Sequence, residues 1–134
     1  MDDGLAALAQ ERNISLTTFK RDGTTASTPV WVVTDDGRRL LVWSGANTWK
    51  VKRIRRDPRV RVAPCDARGR VHGEAVDGTA RLLGPEAGVL VQPLLRKKYG
   101  LQKRGLDALN GFLRIPSRKP KAGAEYIEIL PAHD

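Results

Sequence analysis

With 134 residues, 40% of them hydrophobic and 29% charged, the chain can bury a hydrophobic core without disulfides or metals. Its length predicts one domain over residues 1–134. A single cysteine, an acidic N-terminus and the lack of an apolar run of about 20 residues favour a soluble cytoplasmic protein without membrane association. The net charge of +9 implies an anionic partner.

Hydrophobic periodicity and turn residues predict a mainly β chain with accessory helices. Helical spacing is found over residues 1–12 and 46–57, and a further helical segment is predicted over 85–115. β-Branched runs bounded by Asp-Gly and other turn pairs predict six strands, over residues 14–20, 25–34, 38–43, 59–65, 71–83 and 125–130. Short turns between successive strands favour an antiparallel barrel over a βαβ sheet, with Pro29 at an edge, a bulge or a barrel corner.

The positive charge is concentrated rather than spread. Residues 50–61 contain seven basic residues and one acid, and residues 96–121 contain nine more and one acid. The first of these segments follows Ser44-Gly45 and a helix start at Asn47 or Thr48, where backbone N–H groups lack partners and the helix dipole attracts an anion. Lys50 and Arg53 lie one turn apart on this helix. A solvated basic helix remains the alternative interpretation of the same pattern.

Other kinds of site find little support in the sequence. Two histidines and Cys65 cannot assemble a usual transition-metal site, so no metal is expected. Phosphate-binding glycine motifs are absent, and no side chain stands out as catalytic. Aromatic residues make up only 5%, without a pattern typical of nucleic-acid recognition, so no dedicated nucleic-acid partner is expected. Any redox chemistry would have to come from a bound cofactor.

Several stretches together resemble the pyridoxamine 5'-phosphate oxidase-like split-barrel superfamily, and in particular its actinobacterial branch that uses the deazaflavin coenzyme F420. They are Leu-Thr-Thr-Phe-Lys-Arg-Asp-Gly-Thr, Ser-Thr-Pro-Val-Trp, Val-Asp-Gly-Thr-Ala-Arg-Leu-Leu and, most specifically, Lys-X-X-Arg-X-X-Arg-Asp-Pro-Arg-Val. The resemblance covers residues 14–130. It implies a six-stranded split barrel that forms a homodimer with cofactor sites at the subunit interface.

The resemblance also implies which residues bind the cofactor. Ser44, Thr48, Lys50 and Arg53 would hold its phosphate, with Trp49 beside them and Lys52 adding positive field. The backbone of Pro29, Val30 and Trp31 would lie along the ring. The implied activity is hydride transfer from reduced deazaflavin (F420H2) to an electron-poor organic acceptor, a small-molecule substrate.

Two alternatives stay open. FMN-using relatives place basic residues on the second strand, whereas residues 25–34 contain none, which favours F420 over FMN. A non-catalytic protein that binds flavin, deazaflavin or haem is the other alternative. The charge pattern further suggests a groove for the polyglutamate tail of F420, formed by basic residues in the second segment: Lys97, Lys98, Lys103, Arg104, Arg118, Lys119 and Lys121.

Overall fold

The computed structural model describes residues 3–113 and 124–132. Its helices are α1 (Asp3–Leu8), α2 (Trp49–Arg56) and α3 (Gly88–Leu113), with a 3-10 turn at Pro85–Ala87. Its strands are β1 (Ile14–Phe19), β2 (Thr25–Val30), β3 (Val32–Val33), β4 (Leu40–Gly45), β5 (Arg59–Pro64), β6 (Val76–Leu82) and β7 (Ala124–Pro131).

These strands form an antiparallel sheet in the order β2-β1-β5-β6-β7-β4-β3. The two edge strands, β2 and β3, are consecutive in the chain and are separated by one residue, Trp31. Strands joined by a single residue cannot lie far apart, so the two edges of the sheet meet. The sheet therefore curls into a nearly closed barrel, which removes most of its free edge.

The mainly β barrel with accessory helices is as predicted, but the predicted count of six strands is wrong, because the described residues contain seven. The strand predicted over 25–34 is divided at Trp31, since β2 pairs with β1 while β3 pairs with β4. Pro29 indeed marks this corner, on an edge strand where its missing N–H does not interrupt the sheet. The chain thus changes partners where a single strand was expected.

Other predicted segments are also corrected: the strand predicted over 38–43 is Leu40–Gly45, and the helix predicted over 46–57 is Trp49–Arg56. The helix predicted over 1–12 ends at Leu8. The strand predicted over 71–83 begins only at Val76. Pro64 has no N–H with which to extend the β5–β6 ladder, and Gly73 lies against the proline ring. Before Val76, a single bridge joins Cys65 to Val71. In the 85–115 segment, α3 is kinked at Gly100, whose φ of 52° and ψ of −124° suit glycine alone.

Two apolar clusters fix the helices on the barrel. One fills the barrel interior and includes Val51 and Ile54 of α2, which are 0% and 3% exposed, so this helix is docked by roughly 1.5–3 kcal/mol per buried side chain. The other lies on the outer face of β3, β4 and β7, where α3 packs; its buried members are Val33, Leu41, Val91, Leu95, Tyr99 and Tyr126. None of the helices in the described part of the chain has the length and apolarity needed to cross a bilayer.

Candidate functional site

The start of α2 is organised by the end of β4. Thr48 is the N-cap residue, as one of the two predicted candidates, but its side chain makes no capping hydrogen bond. Its hydroxyl instead lies 3.1 Å from the Ser44 hydroxyl and donates to the Gly45 carbonyl at 3.1 Å. The N–H groups of the first helical turn are therefore not capped by Thr48, and they remain available to an anion or to water.

The charges on α2 suit an anion. The first turn contains no acidic residue, and Arg53, Arg55 and Arg56 lie in the last turn. Lys50, in the first turn, is half-buried, and this burial lowers the pKa of its ammonium group. No ion pair or hydrogen bond of the Lys50 side chain occurs with the side chains that the structure describes, those of residues 5–100 and 124–132. A desolvated cation without a counter-charge stabilises a bound anion more than a solvated one does.

A cleft of about 520 Å³ lies beside this helix, between α2 and the turn that joins β1 to β2. Trp49 is 67% exposed at this cleft, with the Lys52 ammonium 4.7 Å and the Arg53 guanidinium 5.8 Å from its ring centre. The cleft is lined by five cations and one acid: Lys20, Arg21, Lys52, Arg53, Arg56 and Asp22. The Asp22 carboxylate accepts hydrogen bonds from Thr24, so the cleft as a whole is strongly electropositive.

The other predicted residues lie where β2 and β4 diverge. The β3–β4 ladder ends at the pair Val32–Val42. Before Val32 the chain turns away through Trp31 to join β1, whereas β4 continues past Val42 to Ser44. Residues 29–31 and 44–48 therefore lie on the two sides of this split in the barrel. The structure brings Ser44 and Thr48 into contact, groups Trp49, Lys52 and Arg53 around one cleft, and sets residues 29–31 across the split.

Two residues of α3, Lys98 and Tyr99, contact the corner at Trp31 and Val32. The rings of Trp31 and Tyr99 are stacked, with centroids 4.2 Å apart and planes 6° from parallel. The Tyr99 hydroxyl accepts a hydrogen bond from the Val32 N–H at 3.0 Å and lies 2.8 Å from the Arg12 carbonyl, to which it can donate. Tyr99 is 3% exposed, and burial raises the pKa of its hydroxyl.

Lys98 takes part in the same arrangement. Its ammonium donates to the carbonyls of Ala9 at 3.0 Å, Glu11 at 2.6 Å and Val32 at 2.6 Å. Burial, reinforced by the nearby charge of Arg12, lowers the pKa of Lys98 to about 8, while Glu11 opposes this shift. The three donors of this ammonium are thus committed within the chain.

Of the residues predicted to form the tail groove, Lys97 and Lys98 have side chains within the described part of the chain. Lys98 is engaged as above, and Lys97 is exposed beside a cleft of about 450 Å³ between α3 and β3. The side chains of Lys103 and Arg104 on α3, and the residues Arg118, Lys119 and Lys121, lie outside the described part of the chain. The groove stays a prediction.

Two features of the site were not predicted from the sequence. Lys20 and Arg21 flank a strong hairpin turn, and their basic character next to that turn was the available signal for a role in the cleft. No local signal marks the role of Tyr99. A buried tyrosine needs a hydrogen-bond partner, and the partner of Tyr99, Val32, is 67 residues away in the chain. Such a pairing becomes visible only in the folded protein.

Comparisons with known proteins agree with this architecture. A family model described as pyridoxamine 5'-phosphate oxidase matches residues 1–118. A solved structure named as an F420 reductase is 18% identical, with a TM-score of 0.64, over 98% of this chain and 96% of its own. A conserved hypothetical protein from Mycobacterium tuberculosis is 23% identical, with a TM-score of 0.65, over 100% and 81%. A putative pyridoxamine 5'-phosphate oxidase from Listeria innocua is 20% identical, with a TM-score of 0.56, over 95% and 89%.

No curated protein matches the chain. At identities below 25% these structural likenesses show a shared fold. The family model covers most of the chain, including β1 to β6 and α2. The chain belongs to the pyridoxamine 5'-phosphate oxidase family, with its split-barrel fold.

Proposed function

We propose that this protein is an F420H2-dependent oxidoreductase that reduces an electron-poor small organic acceptor. The observation that carries the proposal is the start of α2, where the half-buried Lys50 has no counter-charge among the described residues and the N-cap hydroxyl does not cap the helix. This combination suits the phosphate of a flavin-like cofactor. When bound, the deazaflavin supplies the hydride.

The residues of the chain would bind and orient the cofactor. Lys50 and the N–H groups of the first α2 turn hold the phosphate, with the hydroxyls of Ser44 and Thr48 beside it. Lys52 and Arg53 add positive potential on the cleft side of the helix. Across the split, the backbone of Pro29, Val30 and Trp31 lies along the ring. No side chain is assigned a catalytic role; the protein contributes position, exclusion of water and electrostatic stabilisation.

Deazaflavin is preferred to FMN because of β2. The strand reads Thr-Ala-Ser-Thr-Pro-Val and contains no cation, whereas the resemblance implies basic residues there in FMN-using relatives. The likeness to a structure named as an F420 reductase supports the same choice. The electropositive cleft beside Trp49 adds room for further negative charge next to the phosphate.

We also propose that the active unit is a homodimer. The resemblance implies cofactor sites shared between two copies, and β2, beside the split, leaves Thr25, Ser27 and Thr28 exposed on its surface. Light scattering at micromolar concentration should give about twice the mass of the 14.8 kDa chain. A mass that stays at that of one chain in the presence of cofactor would contradict this part of the proposal.

The function is tested by titrating the purified protein with F420 and, separately, with FMN, while cofactor fluorescence is recorded. We expect micromolar or tighter binding of F420 and weaker binding of FMN, followed by oxidation of F420H2 with a panel of quinones and enones. Micromolar FMN binding without an F420 response would mean that the cofactor is FMN and not F420. Binding of F420 without turnover of any acceptor would favour a non-catalytic binding protein.

A further inference from the structure

The chain carries an arrangement behind the ring-binding segment that the proposed function does not use. We propose that Tyr99, together with Lys98, is a positioning element that sets the conformation of the corner at residues 29–31, and with it the affinity for the cofactor ring. This inference rests on the proposed function for the identity of the ligand. It concerns α3, which provides none of the residues assigned to the phosphate or the ring of the cofactor.

The corner needs external support because it lacks support from the sheet. Trp31 lies between β2 and β3 and pairs with neither β1 nor β4. Only two residue pairs, Val32–Val42 and Val33–Leu41, tie β3 to β4. A short ladder of this kind leaves the position of the preceding residue weakly determined.

Tyr99 supplies two constraints at this point. Its ring stacks on the Trp31 indole at 4.2 Å, in a nearly parallel arrangement that fixes the plane of the indole. Its hydroxyl accepts the Val32 N–H at 3.0 Å, which fixes the backbone directly after the indole. Because the hydroxyl also lies 2.8 Å from the Arg12 carbonyl, the segment before β1 is tied to the same ring.

Lys98 adds a third constraint on the same backbone. Its ammonium donates to the Val32 carbonyl at 2.6 Å, so the N–H and the carbonyl of Val32 both bond to consecutive residues of α3. Its bonds to Ala9 and Glu11 bring the end of the N-terminal segment against α3. A backbone that is held in its binding conformation before the ligand arrives loses less entropy on binding.

The other clefts and reactive groups of the described residues support no separate proposal. The cleft beside Trp49 belongs to the proposed phosphate region. The smaller cleft between α3 and β3 has Lys97 as its exposed cation, and its acid, Asp35, is paired with Arg39 at 2.7 Å. Cys65 is a free thiol that is 3% exposed, so it is closed to an external partner. The proposal therefore rests on the contacts that Tyr99 and Lys98 make at the corner.

The test compares three variants with wild type. Tyr99→Phe keeps the stacked ring and removes the hydroxyl, Tyr99→Leu removes both, and Tyr126→Phe is the matched control. Tyr126 is likewise 3% exposed in the same apolar cluster, and its hydroxyl accepts a hydrogen bond from Gln92 at 2.9 Å, away from the corner. Each variant is titrated with F420, and its melting temperature is recorded.

A second readout needs no cofactor. The three tryptophans, Trp31, Trp43 and Trp49, are labelled as 5-fluorotryptophan, and Trp31→Phe assigns the resonance of Trp31 in the fluorine spectrum. We expect Tyr99→Phe to shift this resonance and raise the Kd for F420 about fivefold. Tyr99→Leu should shift it further and raise the Kd about thirtyfold, while Tyr126→Phe leaves the resonance in place and the Kd within twofold.

The proposal is overturned if Tyr126→Phe weakens binding as much as Tyr99→Phe, because the loss then follows general destabilisation. It is also overturned if Tyr99→Leu, or Tyr99→Phe should the leucine variant not fold, leaves both the resonance and the Kd unchanged. Failure of the proposed function looks different, since the wild-type protein then binds neither F420 nor FMN. In that case the Trp31 resonance alone decides whether Tyr99 sets the corner.

Discussion

Titration of Lys98 should leave a measurable trace in the pH dependence of stability. Its ammonium is half-buried beside the corner at residues 29–31, and this burial lowers its pKa from 10.5 to about 8. Between these two values the unfolded chain binds more protons than the folded one, so the free energy of unfolding rises with pH. Below pH 8 both states are protonated and the burial penalty is fully present; above pH 10.5 it is gone.

The size of the effect follows from the shift. Linkage between a folded pKa of about 8 and an unfolded value of 10.5 sets an upper bound of about 2 kcal/mol on the increase in the free energy of unfolding between pH 7 and pH 9.5. Because Lys98 is only half-buried, solvent screening reduces the expected increase to about 1 kcal/mol. The neutral amine keeps two of its donors, so the contacts with Ala9, Glu11 and Val32 are only partly lost. Burial raises the pKa of the neighbouring Tyr99 hydroxyl, which therefore stays protonated through this window.

The assay is urea unfolding at several pH values for wild type and Lys98→Gln. Subtracting the two curves removes the common effect of the other titrating groups, including the general repulsion of a chain with a net charge of +9. We expect the stability of wild type relative to Lys98→Gln to rise by about 1 kcal/mol from pH 7 to pH 9.5. A difference that stays constant with pH, or one that falls, would refute the reasoning.

Two further predictions concern the helices. Gly100→Ala forces a side chain into a backbone conformation with φ of 52° and ψ of −124°, and should lower the free energy of unfolding by about 1–3 kcal/mol in thermal or urea melts; an unchanged melt would show that α3 does not need this kink. Ile54→Ala removes a side chain that is 3% exposed between α2 and the barrel, and should cost about 2–5 kcal/mol, whereas Arg55→Ala on the exposed side of the helix should change stability by less than about 0.5 kcal/mol. Equal effects of these two α2 variants would contradict the docking of the helix through its apolar face.

Local patterns in the sequence were sufficient for most of the fold. The Asp-Gly turns and the β-branched runs identified the strands, and the helical spacing over residues 46–57 identified α2, because each pattern reflects a short-range geometric requirement. The break at Trp31 was missed because Val30, Trp31 and Val32 are all suited to a strand, and only the closure of the barrel makes the chain change partners there.

The candidate site divides in the same way. The basic helix start with Lys50 was visible from residue types and spacing, since an anion site at a helix start is a local feature. The contacts that hold the corner at residues 29–31 could not be predicted, because the hydrogen bonds between Val32 and the side chains of Tyr99 and Lys98 span more than 60 residues of sequence. Lys20 and Arg21, at the turn between β1 and β2, come to lie beside α2 only through the packing of the barrel.

The central claim is that the start of α2 binds the phosphate of a deazaflavin, and the most direct measurement is the Kd for F420 of Lys50→Glu beside Arg55→Glu. Both variants change the net charge equally on the same helix, but Arg55 is exposed in the last turn, whereas Lys50 is half-buried in the first. We predict that Lys50→Glu weakens binding by roughly a hundredfold or more, through the lost charge-assisted contact and new repulsion, with an unchanged melting temperature. Arg55→Glu should weaken it by no more than about threefold. Equal affinities of the two variants would contradict the claim and return α2 to a solvated basic helix.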